Sequence, residues 1–342
     1  MTFSKTLIDW YLKHKRELPW RNTKDPYWIW LSEIMLQQTR VAQGLPYFLT
    51  FVDHFPQVSD LAVANEEKVL RLWQGLGYYS RARNLHKTAQ HVAFALGGKF
   101  PDNYKDLLKL KGIGEYTAAA IASFSYGEAV PVVDGNVFRV LARYFDIETD
   151  IAASTAKKEF SALALELMPK DSAAVFNQAI MEFGALQCVP KNPDCSICPF
   201  NHSCLALKHN KVAQLPVKTK KTKPKDRFFN YLVYVDQAEQ TQIVKRTAKG
   251  IWHNLYEFPL VENHEDGDVL EYPYSNVSRD NIMSIKTLDS KSIIHKLTHQ
   301  TLHIIFTEIK IKGILEQGVP ISDLGQFPFP IVLHNFIQKH WN

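Results

Sequence analysis

Leu107-Leu-Lys-Leu-Lys-Gly-Ile-Gly-Glu-Tyr-Thr-Ala-Ala-Ala-Ile121 sets Gly112 and Gly114 between the end of one apolar run and the start of an alanine-rich one. Two glycines around Ile113 permit a tight hairpin whose backbone N–H groups face outward while Ile113 anchors the turn in the core. With the positive end of the second helix beside them, those amides form a phosphate site that needs no side chain. An isolated Gly-x-Gly is equally an ordinary connection between two helices, so the flanking sequence has to decide.

On both sides of the hairpin, apolar residues recur at three- and four-residue spacing. Helices are predicted over Lys68–Trp73, Arg81–Leu96, Thr117–Phe124, Asn136–Tyr144, Ser154–Leu167 and Ala173–Leu186. Gly75/Gly77, Gly97-Gly98 and Gly127 punctuate them. Beyond residue 227 the pattern changes to short runs rich in β-branched and aromatic residues, Phe228–Val235, Thr241–Arg246 and His303–Ile311, which predict strands. Between the two regions, Lys208, Lys211, Lys218, Lys220, Lys221, Lys223, Lys225 and Arg227 face only Asp226, with Pro216 and Pro224 among them. Such a segment reads as an exposed linker, either a soluble tether or a contact to phosphates. The expected organisation is therefore a mainly α domain over 1–205, a basic linker over 206–227 and a smaller α+β domain over 228–342.

A hydrophobic content of 46% with 22% charged residues excludes bulk disorder and permits sizeable cores. The start of the chain carries Lys5, Asp9, Lys13, Lys15, Arg16 and Glu17 without a signal-peptide run, and no stretch approaches a membrane span. A reducing, cytoplasmic setting is expected, with no membrane partner. The four cysteines form one array, Cys188-x6-Cys195-x2-Cys198-x5-Cys204. Four thiolates so spaced read as one metal site, for a zinc ion or a four-iron cluster, and spacing alone does not separate the two.

About twenty residues after the hairpin comes Val132-Val-Asp134-Gly-Asn136-Val-Phe138-Arg-Val140, and then the array. In this order the elements resemble the helix-hairpin-helix DNA glycosylases that carry a [4Fe-4S] cluster. That resemblance implies the cluster rather than zinc, in a structural or redox role near DNA. It also implies a six-helix part over about 22–128, and a cluster-bearing part made of 1–21 with 129–205. Leu31-Ser-Glu33-Ile-Met-Leu-Gln37-Gln-Thr-Arg-Val41 further resembles the signature of adenine DNA glycosylases of the MutY type. So do Leu18-Pro-Trp20-Arg21, Gly75-Leu-Gly-Tyr78-Tyr-Ser-Arg-Ala-Arg-Asn84 and Phe176-Asn-Gln178. The resemblance implies a monomeric enzyme acting in the nucleoid on double-stranded DNA that contains adenine opposite 8-oxoguanine or guanine.

Adenine leaves poorly as an anion, so cutting its bond to deoxyribose calls for an acid at the base and a separate anion near a sugar that becomes oxocarbenium-like. Glu33 lies among Trp28, Trp30, Ile34, Met35 and Leu36, a setting that raises a carboxyl pKa, and is expected to protonate adenine N7. Asp134 is expected to stay ionised and stabilise the sugar, directly or through a transient covalent bond, with Asn136 orienting it and the water. Taken alone, Glu33 reads as a solvent-facing helix residue and Asp134 as a helix N-cap.

By resemblance, Tyr116 stands where bifunctional relatives carry lysine. A phenol forms no iminium, which speaks against an endonuclease III-like lyase and places a hydroxyl near both carboxylates. Gln37 and Tyr78 are implied as wedges in the base stack, Trp20, Arg21 and Gln178 as the adenine pocket, and the Gly112 and Gly114 amides as backbone contacts. Phe138 replaces a lysine of some relatives, which should reduce covalent trapping of the abasic product. Lys249-Gly250-Ile-Trp252-His-Asn-Leu-Tyr256-Glu-Phe258-Pro259 resembles the family's Nudix-like domain, yet no catalytic Nudix box is present, so a pyrophosphohydrolase is not expected. Leu297-Thr298-His299 replaces the family's Phe-Ser-His, leaving Thr298 and His299 to read the lesion. Having both Glu33 and Asp134 speaks against a non-catalytic iron-sulfur DNA-binding protein.

Overall fold

Asp25 and Pro26 start the helix on which much of the architecture turns. The Asp25 carboxylate accepts from the Tyr27 amide at 2.8 Å, and Pro26 occupies the first turn, where its missing N–H costs nothing. In the computed structural model, which describes residues 2–219, 224–263, 277–288 and 291–341, this is helix α2 (Pro26–Met35), after α1 (Phe3–His14). Lys220, Lys221 and Lys223 of the linker lie outside the described residues. There follow α3 (Val41–His54), α4 (Val58–Val63), α5 (Glu66–Leu72), α6 (Ser80–Ala95), α7 (Tyr104–Leu107), α8 (Glu115–Tyr126), α9 (Gly135–Phe145), α10 (Ala156–Leu167), α11 (Ala173–Leu186) and α12 (Leu205–Lys208). No helix among the described residues is long and apolar enough to cross a membrane.

By contact the chain forms two units, 1–63 with 84–220 and 64–83 with 221–342. In the first, α2 is buried almost all round, from Ile29 to Met35, as expected of a helix apolar on every face. It packs on α8, whose Ala118, Ala119, Ala120 and Ala122 are buried and small enough for close approach. A second cluster joins Phe3, Leu7 and Trp10 of α1 to Leu141 of α9, Phe160 of α10, Phe176 and Phe183 of α11, and Phe200. Phe3 stacks on Phe200 at 5.0 Å, and Trp10 meets Phe183 edge-on at 4.9 Å. The amino-terminal helix is thus built into the same core as the cysteine-bearing segment.

The hairpin forms as expected, but its two glycines differ. Gly112 has φ +85°, and a Cβ there would lie 3.0 Å from Asn84 Cβ, whereas Gly114 is extended at φ −88° with open space around it. Ile113 is buried and its amide donates to Leu110 O at 3.1 Å. Gly112→Ala is expected to cost about 1–2 kcal/mol through the left-handed backbone, read as a lower urea midpoint. Gly114→Ala should change stability by less than about 0.5 kcal/mol.

In the second unit, β1 (Lys225–Val235), β2 (Gln240–Thr241), β3 (Val244–Lys245), β4 (Tyr256–Glu257), β5 (Leu260–Asn263), β6 (Ile282–Thr287), β7 (Ile293–Lys296), β8 (Gln300–Ile311) and β9 (Val319–Pro320) precede α13 (Ile331–Trp341). The main sheet runs β5-β1-β8-β6, with β7 also paired to β8; β1 and β8 are parallel and the other pairings antiparallel. The middle of β1 is buried without alternation, as a central strand covered on both faces must be. Phe336 of α13 stacks on Phe306 at 3.8 Å. The run Thr241–Arg246, expected as one strand, splits instead, because β2 pairs with β9 and β3 with β4 in separate two-stranded sheets. Residues 64–83 were expected within the helical domain by their periodicity. They cluster with the strands, where Glu66, Glu67, Gln74, Tyr79 and Arg83 find hydrogen-bond partners.

Candidate active site

One cavity of about 680 Å³ in the helical unit is lined by Trp20, Arg21, Glu33, Tyr116, Asp134, Asn136 and Gln178, among others. Glu33 comes from the buried α2 and is 7% exposed, not solvent-facing. Tyr116, in the first turn of α8, donates its hydroxyl to Glu33 Oε2 at 2.7 Å. Burial pushes the Glu33 carboxyl up to about 7; the Tyr116 hydrogen bond opposes this, the Asp134 charge adds to it, and Arg21 opposes it. The same burial, with both carboxylates nearby, raises the Tyr116 phenol, so it stays a donor.

Asp134 is the N-cap of α9. Its Oδ1 accepts the amides of Asn136 at 2.8 Å and Val137 at 2.9 Å, and its Oδ2 accepts Asn136 Nδ2 at 2.7 Å. Burial raises its pKa, against those three donors and the Arg139 charge. The donors around Asp134 sit at the positive end of α9, where they favour the ionised carboxyl against its burial.

Trp20 is buried, edge-on to Phe48 at 4.9 Å. Gln178, which also lines the cavity, accepts from the Tyr11 hydroxyl through Oε1 at 2.6 Å. Arg21 donates through both terminal nitrogens to Glu182, at 2.8 and 2.7 Å. Gln37 does not line this cavity; its amide donates to Thr117 Oγ1 at 3.4 Å. Phe138 packs edge-on against Phe160 at 4.9 Å. In the strand-bearing unit, a separate cavity of about 490 Å³ is lined by Tyr78, Trp252, His295, Leu297, Thr298 and His299, among others. There the Tyr78 hydroxyl and Thr298 Oγ1 are 2.8 Å apart.

The four cysteines are free of disulfides and together line an apolar hollow beside Arg143, Phe183 and Phe200. Burial pushes the Cys198 thiol up to about 11 and raises Cys195 and Cys204 as well. Among the described residues, no three His, Cys, Asp or Glu side chains converge as a ready nest for an ion.

Residues 31–167 match the family described as HhH-GPD superfamily base excision DNA repair protein, and residues 230–339 match the NUDIX domain. An adenine DNA glycosylase of Buchnera aphidicola subsp. Schizaphis graminum is 38% identical over 304 residues, covering 89% of this chain and 86% of the relative. The chain belongs to the adenine DNA glycosylase family. The human adenine DNA glycosylase is 42% identical over 222 residues, 62% of this chain and 41% of that one. Among solved structures, a thermostable thymine-DNA glycosylase superposes with a TM-score of 0.56 at 29% identity, over 60% of this chain and 95% of its own. An endonuclease III–DNA covalent intermediate, at 22% identity and a TM-score of 0.53, shares the fold. The protein is accordingly a base excision repair enzyme that hydrolyses an N-glycosidic bond, and its carboxyl-terminal domain is Nudix-like.

Several residues of the glycosylase site escaped the sequence reading. Glu182 is fully buried, and although burial opposes it, the Arg16 and Arg21 hydrogen bonds hold its pKa near 2. Asn177, inside the Phe-Asn-Gln stretch, accepts from Val132 N at 3.1 Å and donates to Val130 O at 2.8 Å, pinning the segment that leads to Asp134. Arg139 donates to Asn136 Oδ1 at 2.8 Å, to Gly184 O at 2.6 Å and to Cys188 O at 2.7 Å, tying the active-site end of α9 to the cysteine segment. A buried arginine or glutamate in a helical run was the available signal; its partner lay too far along the chain to be guessed.

Proposed function

We propose that the substrate is duplex DNA with adenine opposite 8-oxoguanine, or opposite guanine, and that the enzyme releases the base without cutting the strand. The observation that carries the reading is a buried carboxyl, Glu33, poised near neutrality in a cavity it shares with a strongly hydrogen-bonded aspartate. Adenine turned out of the stack enters between Trp20, Arg21 and Gln178, and protonated Glu33 gives its proton to N7. Tyr116, already donating to Glu33, stabilises the carboxylate left behind. Asp134 offsets the charge on the sugar, and Asn136 holds it and orients the water. Tyr116 brings no amine, which supports hydrolysis without a lyase step. Gln37 and Tyr78 act as wedges, the Gly112 and Gly114 amides hold the backbone, and Thr298 and His299 read the opposite base.

Cys188, Cys195, Cys198 and Cys204 hold a [4Fe-4S] cluster. Its support is the donor set: four unlinked thiols that together line one hollow, with Arg143 Nη1 3.4 Å from Cys188 Sγ as a countercharge. When bound, the group would supply a cross-link within 188–204 and a one-electron couple, while Arg139 and Arg143 tie that segment to α9 by hydrogen bonds. Purified protein is expected to carry about four irons per chain; one zinc per chain would reject the assignment.

The substrate test is a duplex with one adenine opposite 8-oxoguanine, incubated and then divided for alkali treatment. Cleavage at the adenine only after alkali is expected. No product, or equal cutting without alkali, would reject the reading.

A further inference from the structure

Residues 64–83 are fastened into the strand-bearing unit by polar contacts that the chemistry does not use. Lys245 Nζ meets Glu67 Oε1 at 2.7 Å, and the Tyr256 hydroxyl donates to the same oxygen at 2.9 Å. Asn254 Nδ2 donates to Glu66 Oε1 at 2.6 Å, and Arg83 donates to His253 O at 2.7 Å. Both sides of this contact are built from left-handed backbone: Gly75, Gly77 and Tyr78 at φ 97°, 78° and 50°, against Trp252 and Asn254 at 60° and 64°. Non-glycine residues stay in that region only where their surroundings over-determine them. At the end of the segment, Tyr78 is 45% exposed, its ring under the Arg81 guanidinium at 5.3 Å and its hydroxyl on Thr298.

We propose that Glu66 and Glu67 are positioning residues for opposite-base discrimination, holding Tyr78 against the Thr298–His299 loop so that wedge and reader act as one rigid piece. The inference rests on the adenine:8-oxoguanine reading above. A reader assembled before DNA arrives has less ordering entropy to lose on binding. Released from its clamp, Tyr78 has to be ordered on each duplex, and the bond it shares with Thr298 no longer ties its position to the base that Thr298 contacts. The loss therefore falls mainly on the lesion-containing duplex, where Thr298 is engaged. A lone exposed ion pair contributes little, so the clamp acts through its paired contacts and a double variant is needed to open it.

The test uses the full-length protein and single-turnover adenine release from adenine opposite 8-oxoguanine and opposite guanine, with affinities measured for both. Glu66→Ala/Glu67→Ala is expected to lower the 8-oxoguanine preference about tenfold, mostly through affinity, with release opposite guanine nearly unchanged. The charge swap Glu67→Lys/Lys245→Glu should lose much less preference than Glu67→Lys alone, whose loss should be confined to the 8-oxoguanine duplex, a selectivity that a merely structural loss would not show. If the double variant does not fold, Glu66→Gln/Glu67→Gln, which keeps the volume, is read the same way. Unchanged preference in a folded clamp variant, or equal losses on both duplexes, would overturn the proposal while wild-type activity still supports the substrate. No release by the wild type from either duplex would overturn the substrate reading and this inference with it.

Discussion

Replacing Glu33 by glutamine should lower adenine release by at least about a thousandfold while making the folded protein more stable at alkaline pH. The side chain keeps its shape and can still accept from Tyr116, but it has no proton to give. In the wild type, a carboxyl at about 7 is protonated below neutrality, so release under single-turnover conditions should hold steady up to pH 7 and fall above it. On the acid side, release should fall again as Asp134 takes up a proton, completing a bell.

Native Glu33 keeps its proton in a range where the unfolded chain has lost it, so its favourable contribution is complete below about pH 4.5 and is lost as pH rises toward 7. Glutamine does not titrate, so the variant's advantage is largest above pH 7, on the order of 3 kcal/mol. Urea unfolding at pH 5 and pH 8 measures it. An advantage that does not grow with pH would remove burial as the origin of the poised acid.

Gly184→Ala should also damage activity severely, through packing. A Cβ at Gly184 would lie 2.6 Å from Asn136 Cβ and 3.0 Å from Asn136 O, and neither neighbour is the loose end of a flexible chain. Backbone on α9 or α11 has to move. Asn136 holds Asp134 Oδ2, and Gly184 O takes a hydrogen bond from Arg139, so the displacement reaches both the anion and the link to Cys188. A shift of about 1 Å at the reacting groups is enough for a hundredfold loss in rate, with about 1–3 kcal/mol of stability lost to overpacking. Near-wild-type turnover with an unchanged unfolding midpoint would show that this helix contact is not what sets Asn136.

Much of this site was legible because its chemistry is written in local sequence. The hairpin glycines, the apolar setting of Glu33 and the position of Asp134 at a helix start are short-range features, and the periodicity of α8 to α11 predicted those helices closely. The rest depended on partners 45 or more residues away. Nothing near Glu182 announces Arg16 and Arg21, nothing near Gly184 announces Asn136, and nothing near Arg139 announces Gly184 and Cys188. The run Thr241–Arg246 misled for the same reason, since strand pairing is decided by the neighbour. Residues 64–83 showed a helical period and a glycine turn, and both are present; only side-chain partners tied them to the strands.

By itself, then, the sequence determined helices α8 to α11, the glycine hairpin and the four-cysteine array, and it singled out two candidate carboxyl groups, because periodicity, glycine and residue chemistry act over a few residues. The tertiary structure alone decided that Glu33 is buried against Tyr116 rather than solvent-facing, that the Asp134 carboxyl accepts three hydrogen bonds, and that Tyr78 and Thr298 share a hydrogen bond. Each of these depends on burial or on a hydrogen-bond partner, and such environments exist only once distant segments have packed together.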